Sequence, residues 1–473
     1  MLTLADLLEA LTHLRPPQAA NRLITDAVID SRKAIPGSLF IAIPGERTDG
    51  HAYIHDAFAR GASYALIEHE VADDLPVVDL RKPGWDAMGQ ALTPPYCLRV
   101  ENTIQALQEV ARFWRGKLRD VRVVGITGSV GKSTTKEVCA GVLSERYRTL
   151  KNEGNYNNEI GLPLTLLRLS EGHQCAVLEM GFYVPGEITF LCEIARPEIG
   201  VITNVGTVHA ERAGSQEAIF EGKSELVQYL PPDGTAILNH DDPWVRQMAA
   251  RTQARVLFYG LTPEADLWAD HIEGLGLEGI RFRMHYQGET LYLRVPMIGR
   301  HSVHTALRAA ATGLAQGLTW HEIVHGLRAG HAQLRLVATR TPRGALVLDD
   351  TYNASPASTL AALNLLDELE GRKIAVLGDM LELGPYEKQG HEMVGLRAAE
   401  IADILVTIGG RAHIIARAAR HAGMPRRKIH ECETNAQALD FLVPLLDAGD
   451  VVLVKGSRGM HMEEIVSGLE ATA

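Results

Sequence analysis

The sequence contains no Cys-x-x-Cys pair, and its five cysteines, Cys97, Cys139, Cys175, Cys192 and Cys432, are an odd and scattered set. That argues against a disulfide framework or a thiolate zinc site and predicts reduced thiols. An apolar stretch of about 18 residues, the length a membrane helix needs, is also missing. The first residues, Met1-Leu2-Thr3-Leu4-Ala5-Asp6, lack the basic region and long apolar core of an export signal, so a cytoplasmic protein without membrane contact is expected. No dense basic run occurs, and the net charge is -11, which argues against general nucleic-acid binding because phosphate neutralisation needs clustered Lys and Arg. With 46% apolar and 22% charged residues the composition is that of an ordinary globular chain. A length of 473 residues predicts about three domains of roughly 150 residues each.

The first hundred residues mix short apolar runs such as Ser38-Leu39-Phe40-Ile41-Ala42-Ile43 with turns, as a small α/β unit would. From Thr103 to Leu118, Ile104, Leu107, Val110, Ala111 and Trp114 recur at helical spacing. A domain boundary is therefore expected near residue 100. Beyond it, Val121 to Ile126, Cys175 to Leu178 and Ile199 to Ile202 are short apolar runs separated by helical patterns, which predicts a mostly parallel sheet with helices on both faces. A second series, Ala345 to Leu348, Ile374 to Leu377, Ile404 to Thr407 and Val451 to Val454, predicts a Rossmann-like doubly wound domain beginning near residue 328. The expected fold is thus α/β in three domains: 1–100 mixed α/β, 101–327 a parallel-sheet P-loop domain, and 328–473 Rossmann-like.

The chemistry is announced by Thr127-Gly128-Ser129-Val130-Gly131-Lys132-Ser133, which follows a β-type run and precedes a helical pattern. Glycines let backbone amides turn onto phosphate oxygens, and the helix that follows adds its positive end. In such loops the lysine, here Lys132, reaches the β and γ phosphates, and the hydroxyl of Ser133 holds Mg²⁺, with Thr134 in the first helical turn. The position five before Gly131 is Ile126 rather than glycine, with Gly125 one residue earlier, so the full Walker pattern is not met. The bland alternative is an ordinary strand-to-helix turn with a surface lysine. The order of strand, turn and helix favours an ATP site.

Several further segments accompany the loop. They are Asn152 to Pro163, Leu178-Glu179-Met180-Gly181, Ile202 to His209, and Gly222-Lys223-Ser224-Glu225-Leu226. Together with the loop they resemble the Mur ligase family, ATP-dependent amide-forming enzymes of peptidoglycan precursor synthesis. Asp30-Ser31-Arg32 and Gly45 to His51 near the start resemble the same family, as do Asp349 to Pro356, Leu377 to Gly384 and Lys455-Gly456-Ser457-Arg458 near the end. These flanking segments resemble the member that acts on UDP-N-acetylmuramoyl-tripeptide and D-alanyl-D-alanine. The resemblance implies ATP and Mg²⁺ as cofactors, and those two compounds as substrates of a monomeric enzyme. Catalytic roles fall on Lys132, Glu179, His209 and Lys223, with Mg²⁺ held by Ser133, Glu179, His209 and a carbamylated Lys223. Thr127 to Thr134, Arg335 and Asp350 would contact the nucleotide. Ser31, Arg32, Asp49, Gly50, His51, Asn157, Asn158 and Asn353 would contact substrate. Two departures stand out: Ser302 and His304 lie in a helix start where the family carries adenine-recognising asparagines, and Leu334 replaces a glycine before Arg335.

His321-Glu322-Ile323-Val324-His325 matches a zinc-protease pattern, and His331 stands where a third ligand would be. With 19 histidines in the chain an accidental match is easy, and Thr319 with Glu322 forms a Thr-x-x-Glu capping box that already employs the glutamate. Trp320, Ile323, Val324 and Leu327 form an apolar stripe that leaves His321 and His325 on another face. The polar segments His391-Glu392 and Asp447 to Asp450 are expected to be solvated surface. Two rivals remain: a related Mur ligase adding the third peptide residue, and a nucleotide-binding protein without catalysis. Glu179, His209 and Lys223 weigh against the second, because a mere binder needs no metal ligands beyond the loop.

Overall fold

A computed structural model describes residues 1–19, 21–45, 48–83, 85, 93–207, 210–329 and 337–471. His209, Arg335, Leu334 and His331 lie outside the described residues, as do Glu46 and Arg47. The architecture is α/β, with a largely parallel central domain and a mixed C-terminal sheet. The chain gathers into two compact units, one of residues 1–125, 147–181 and 186–198, the other of 126–146, 182–185 and 199–473.

In the first unit, Ala27–Val28, Leu39–Ile41, Tyr64–Ile67, Tyr96–Arg99 and Val77–Asp79 lie side by side in that order as an all-parallel sheet. The helix expected after residue 100 spans Thr103–Lys117; the Asn102 side chain caps it by accepting from the Gln105 amide. Its apolar face, with Leu107, Val110, Ala111 and Trp114, is buried, and the Trp114 indole donates to the Leu169 carbonyl at 2.9 Å. The same unit carries Thr149–Lys151 in parallel with Cys175–Glu179.

In the second unit, Ile199–Ile202, Thr235–Asn239, Arg255–Gly260 and Leu267–Gly274 run parallel in sequence order, and an antiparallel pair, Ile280–Tyr286 and Glu289–Val295, extends that sheet. The C-terminal sheet has the order Val337–Arg340, Leu346–Asp349, Asp450–Lys455, Arg372–Gly378, Ile404–Ile408, Ile429–Cys432, with only the first strand antiparallel. Alternate strand residues feed two cores. Leu348, Ala375, Leu377, Leu405 and Leu453 meet one layer of helices, while Val347, Ile374, Val376, Val406, Val452 and Val454 meet the other. This two-faced burial is why these strands read as unbroken apolar runs.

Two surface expectations need correction. His391 is fully buried: its Nε2 accepts the Met380 amide and its Nδ1 faces the Glu387 carbonyl at 2.7 Å, so the ring closes a turn beneath the sheet. Asp450 is buried as well, in a bidentate pair with Arg372 at 2.8 and 2.6 Å. In both cases the polar group is satisfied, by backbone groups 11 and 4 residues away for His391 and by a side chain 78 residues away for Asp450, which is what allows its burial.

All five cysteines are buried and none forms a disulfide. Among the described residues no helix is long and apolar enough to cross a membrane.

The helix Gln216–Tyr229 carries Gly222 where the Phe182 ring lies against it, so that a Cβ at Gly222 would overlap the ring. Gly222→Ala should therefore destabilise the protein by about 1–3 kcal/mol, although alanine is the better helix former by about 1 kcal/mol. Urea unfolding measures this, and an unchanged or raised midpoint would contradict the packing described.

Candidate active site

The strand Arg122–Thr127 delivers the glycine-rich loop, and Lys132 is the first residue of the helix Lys132–Ser144. Gly131 occupies the N-cap position with φ 85°, and no side chain caps the helix. Such a helix start suits an anion, with the helix dipole adding to the attraction. Gly128 has φ 143°, and a Cβ there would overlap Thr203 Oγ1, so only glycine lets the loop lie so close to the neighbouring strand end.

That strand end holds the loop in place. Asn204 grips Val130 from both sides: its Oδ1 accepts the Val130 amide at 2.9 Å and its Nδ2 donates to the Val130 carbonyl at 3.0 Å. The Ser129 amide donates to the Asn204 carbonyl at 2.9 Å, and Ser129 Oγ accepts the Gly206 amide at 2.9 Å. The Thr203 carbonyl in turn accepts from Asn239 Nδ2 at 3.1 Å and from the buried Tyr259 hydroxyl at 3.2 Å. Lys132 Nζ donates to the carbonyl of Gly128 at 2.9 Å.

Two basic groups beside the loop are buried. Lys223 is 1% exposed, and burial followed by the charge of Lys132 pushes its pKa well below the ordinary lysine value. Its Nζ sits over the Phe182 ring, 4.9 Å from the centroid, and among the described residues no carboxylate pairs with it. Arg308, from the helix Ser302–Ala315, is 5% exposed; its Nη1 donates to Thr135 Oγ1 at 2.7 Å and its Nε to the His304 carbonyl at 3.0 Å.

Glu179 ends the strand Cys175–Glu179 and is 2% exposed. Its Oε1 accepts from Asn157 Nδ2 at 2.9 Å, and its amide donates to Asn152 Oδ1 at 3.0 Å. The neighbouring Asn158 is instead occupied locally, since its Oδ1 accepts the Gly161 amide at the start of a helix. A carboxylate at Glu179 and a hydroxyl at Ser133 are hard oxygen donors of the kind Mg²⁺ prefers. An ammonium at Lys223 could not ligate a cation, whereas a carbamate there would contribute oxygens.

The N-terminal candidates take part in separate hydrogen-bonded groups. Ser31 Oγ donates to Asp56 Oδ2 at 2.6 Å, while the Arg32 guanidinium pairs with Asp30. Asp49 faces His51 Nδ1 at 2.7 Å and His69 Nε2 at 2.8 Å, and the two rings stack at 3.6 Å. His51 Nε2 accepts the Glu68 amide, which assigns the Nδ1 proton to the Asp49 side. Burial moves the His51 pKa below the usual histidine range despite Asp49. Gly50 lies tightly against the backbone of Ile43. In the C-terminal domain, buried Lys455 donates to Asp350 Oδ2 at 2.7 Å and to the Asn353 carbonyl at 2.8 Å, bringing those two candidates together.

The protease-like helix Trp320–Arg328 carries the expected capping box, with Glu322 accepting the Thr319 amide at 2.7 Å and also binding Arg146. His321 and His325 are exposed, and His325 faces Glu145 at 2.6 Å. The motif is a structural helix start. Asn204 and Arg308 were not among the candidate site residues. Asn204 stood inside a quoted motif, but its role depends on a strand crossing 74 residues away from Val130, and Arg308 reads as one basic residue in an alanine-rich helix.

Asn204→Ala should weaken ADP binding by about 10- to 100-fold, the worth of about 1–3 kcal/mol from releasing the two Val130 bonds. Isothermal titration reads this directly; an affinity equal to that of the parent would show that the loop keeps its shape unaided.

The chain has counterparts among known proteins. Family profiles match along the chain: "Mur ligase family, catalytic domain" over residues 24–114, "Mur ligase middle domain" over 126–313, and "Mur ligase, glutamate ligase domain" over 334–458. A UDP-N-acetylmuramoyl-tripeptide–D-alanyl-D-alanine ligase from Bacillus subtilis is 35% identical over 463 residues, spanning 96% of this chain and 95% of the relative. A crystal structure of MurF from Acinetobacter baumannii superposes with a TM-score of 0.84 at 31% identity over 98% of both chains. The MurF ligase of Thermotoga maritima, solved in complex with ADP, gives 0.78 at 28% identity, covering 95% of this chain and 98% of that one. Profiles that span both ends and the phosphate loop, together with that degree of identity over nearly the whole length, place this chain in the Mur ligase family.

Proposed function

We propose that the protein joins D-alanyl-D-alanine to UDP-N-acetylmuramoyl-tripeptide, cleaving ATP to ADP and phosphate, in the synthesis of peptidoglycan precursors. The observation that carries this reading is the clamped loop from Gly128 to Ser133 with a buried lysine beside it, in a chain whose full-length relatives bear the name of that reaction.

A carboxylate is a poor acyl donor, so the chemistry runs through an acyl phosphate. A carboxylate oxygen of the tripeptide attacks the γ-phosphorus, the bond from that phosphorus to the β–γ bridging oxygen breaks, and ADP leaves. The dipeptide amine then attacks the acyl carbon; phosphate departs and the nitrogen loses a proton. Lys132, freed from the Gly128 carbonyl, neutralises charge on the transferred group, while the uncapped amides of the helix hold the phosphates that remain with the nucleoside. Ser133, Glu179, His209 and Lys223 would hold Mg²⁺, which when bound supplies Lewis-acid stabilisation of phosphoryl oxygens. Lys223, held toward its neutral form, is the nucleophile that CO₂ requires, and carbamylation would exchange a costly buried cation for an oxygen-bearing anion.

In this reading residues 1–100, with Ser31, Arg32, Asp49, Gly50 and His51, take the uridine nucleotide. Residues 101–327 take ATP, and 328–473, with Arg335, Asp350 and Asn353, complete the nucleotide contacts and take the dipeptide. The enzyme acts as a cytoplasmic monomer.

Incubation with ATP, UDP-muramoyl-tripeptide and candidate amines should release phosphate only when D-alanyl-D-alanine is present; release with a diamino acid instead, or none at all, sinks the proposal. Turnover should also fall in CO₂-free buffer and return on addition of bicarbonate, whereas indifference to CO₂ would remove the carbamate from the mechanism.

A further inference from the structure

Arg308 carries a permanent charge and is 5% exposed, yet among the described residues no carboxylate lies within ion-pair distance of it. Its polar contacts are with neutral groups, the Thr135 hydroxyl and the His304 carbonyl. The guanidinium also lies 5.7 Å from the centroid of the Tyr259 ring. A buried charge without a counterion is costly, and the cost is normally met by an opposite charge close by.

The surroundings indicate which anion meets that need. Nη1 lies 3.3 Å from where a Cβ on Gly131 would stand, and it is tied to Thr135 in the first turn of the loop helix. Lys132 Nζ, by contrast, turns toward the carbonyls of Gly128 and Ser129 at the other end of the loop. Two cations therefore approach the loop from opposite ends. The side chain is also pre-aimed, because its Nε bond to the His304 carbonyl fixes the fork before any ligand arrives.

We propose that Arg308 is a phosphate-binding residue, whose guanidinium supplies the countercharge for the nucleotide phosphate nearest the nucleoside while Lys132 serves the terminal one. This rests on the phosphate loop being a nucleotide site, as proposed above. Planar guanidinium donors suit phosphate oxygens, and the bond gains strength where water is excluded.

The test compares ADP, AMP and adenosine as competitors of a fluorescent ADP analogue on the full chain. Arg308→Met, which keeps bulk and loses charge, should weaken ADP and AMP by a common factor of about 10- to 100-fold and leave adenosine unchanged. Arg308→Lys, which keeps the charge, should retain most of the affinity. Thermal unfolding without ligand separates loss of fold from loss of contact. Equal affinities in Arg308→Met and parent would overturn the inference, as would an equal weakening of adenosine and ADP, which marks a purely structural arginine. Failure of the parent to bind ADP at all would overturn the nucleotide site itself, whereas intact ADP binding with an indifferent Arg308 overturns this inference alone.

Discussion

Lys223 is buried beside the phosphate loop, where desolvation and then the charge of Lys132 hold it toward its neutral form. Arg308 adds a third basic group within the same unit. The charges of Lys132 and the buried Arg308 favour any polyanion that enters. The rest of the site follows from that constraint: the loop must be held firmly, and the ligand must bring negative charge. A nucleoside triphosphate meets the second condition.

Firmness comes from the strand end at Ile202 to Gly206 rather than from the loop itself. Asn204 spends both ends of its amide on Val130, and Thr203 is held behind it by Asn239 and Tyr259. Because these partners belong to parallel strands buried on both faces, the clamp inherits the rigidity of the sheet. Lys132 Nζ rests on the carbonyls of Gly128 and Ser129. A fixed cradle suits a reaction in which a phosphoryl group changes owner while the nucleoside end stays still.

Much of this was legible in the sequence because the elements concerned are local. The phosphate loop, the helix Thr103–Lys117 and the apolar strands of the central and C-terminal sheets each declare themselves through spacing within a few residues. The antiparallel pair Ile280–Tyr286 and Glu289–Val295 did not, since its turn is Gln287-Gly288, with φ of 49° and 85°, rather than the Asn-Gly that marks such hairpins most clearly. Asp450 reads as surface for a related reason, since Arg372, which permits its burial, is brought in by the fold from 78 residues away; His391 is satisfied by nearby backbone groups of Met380 and Glu387, which no side-chain pattern announces. Arg308 lacked any signal, because a lone arginine in a helix gains meaning only from what the helix packs against.

The claim on which the account rests is that the cradle transfers the γ-phosphoryl group to a carboxylate and leaves ADP in place. Positional isotope exchange in ATP carrying heavy oxygen at the β–γ bridge tests it most directly, with UDP-muramoyl-tripeptide present and the dipeptide withheld. Scrambling of the label into the non-bridging β positions, dependent on the tripeptide and lost in Lys132→Ala, is the predicted result. A label that stays in the bridge in a preparation that turns over with all three substrates would contradict it.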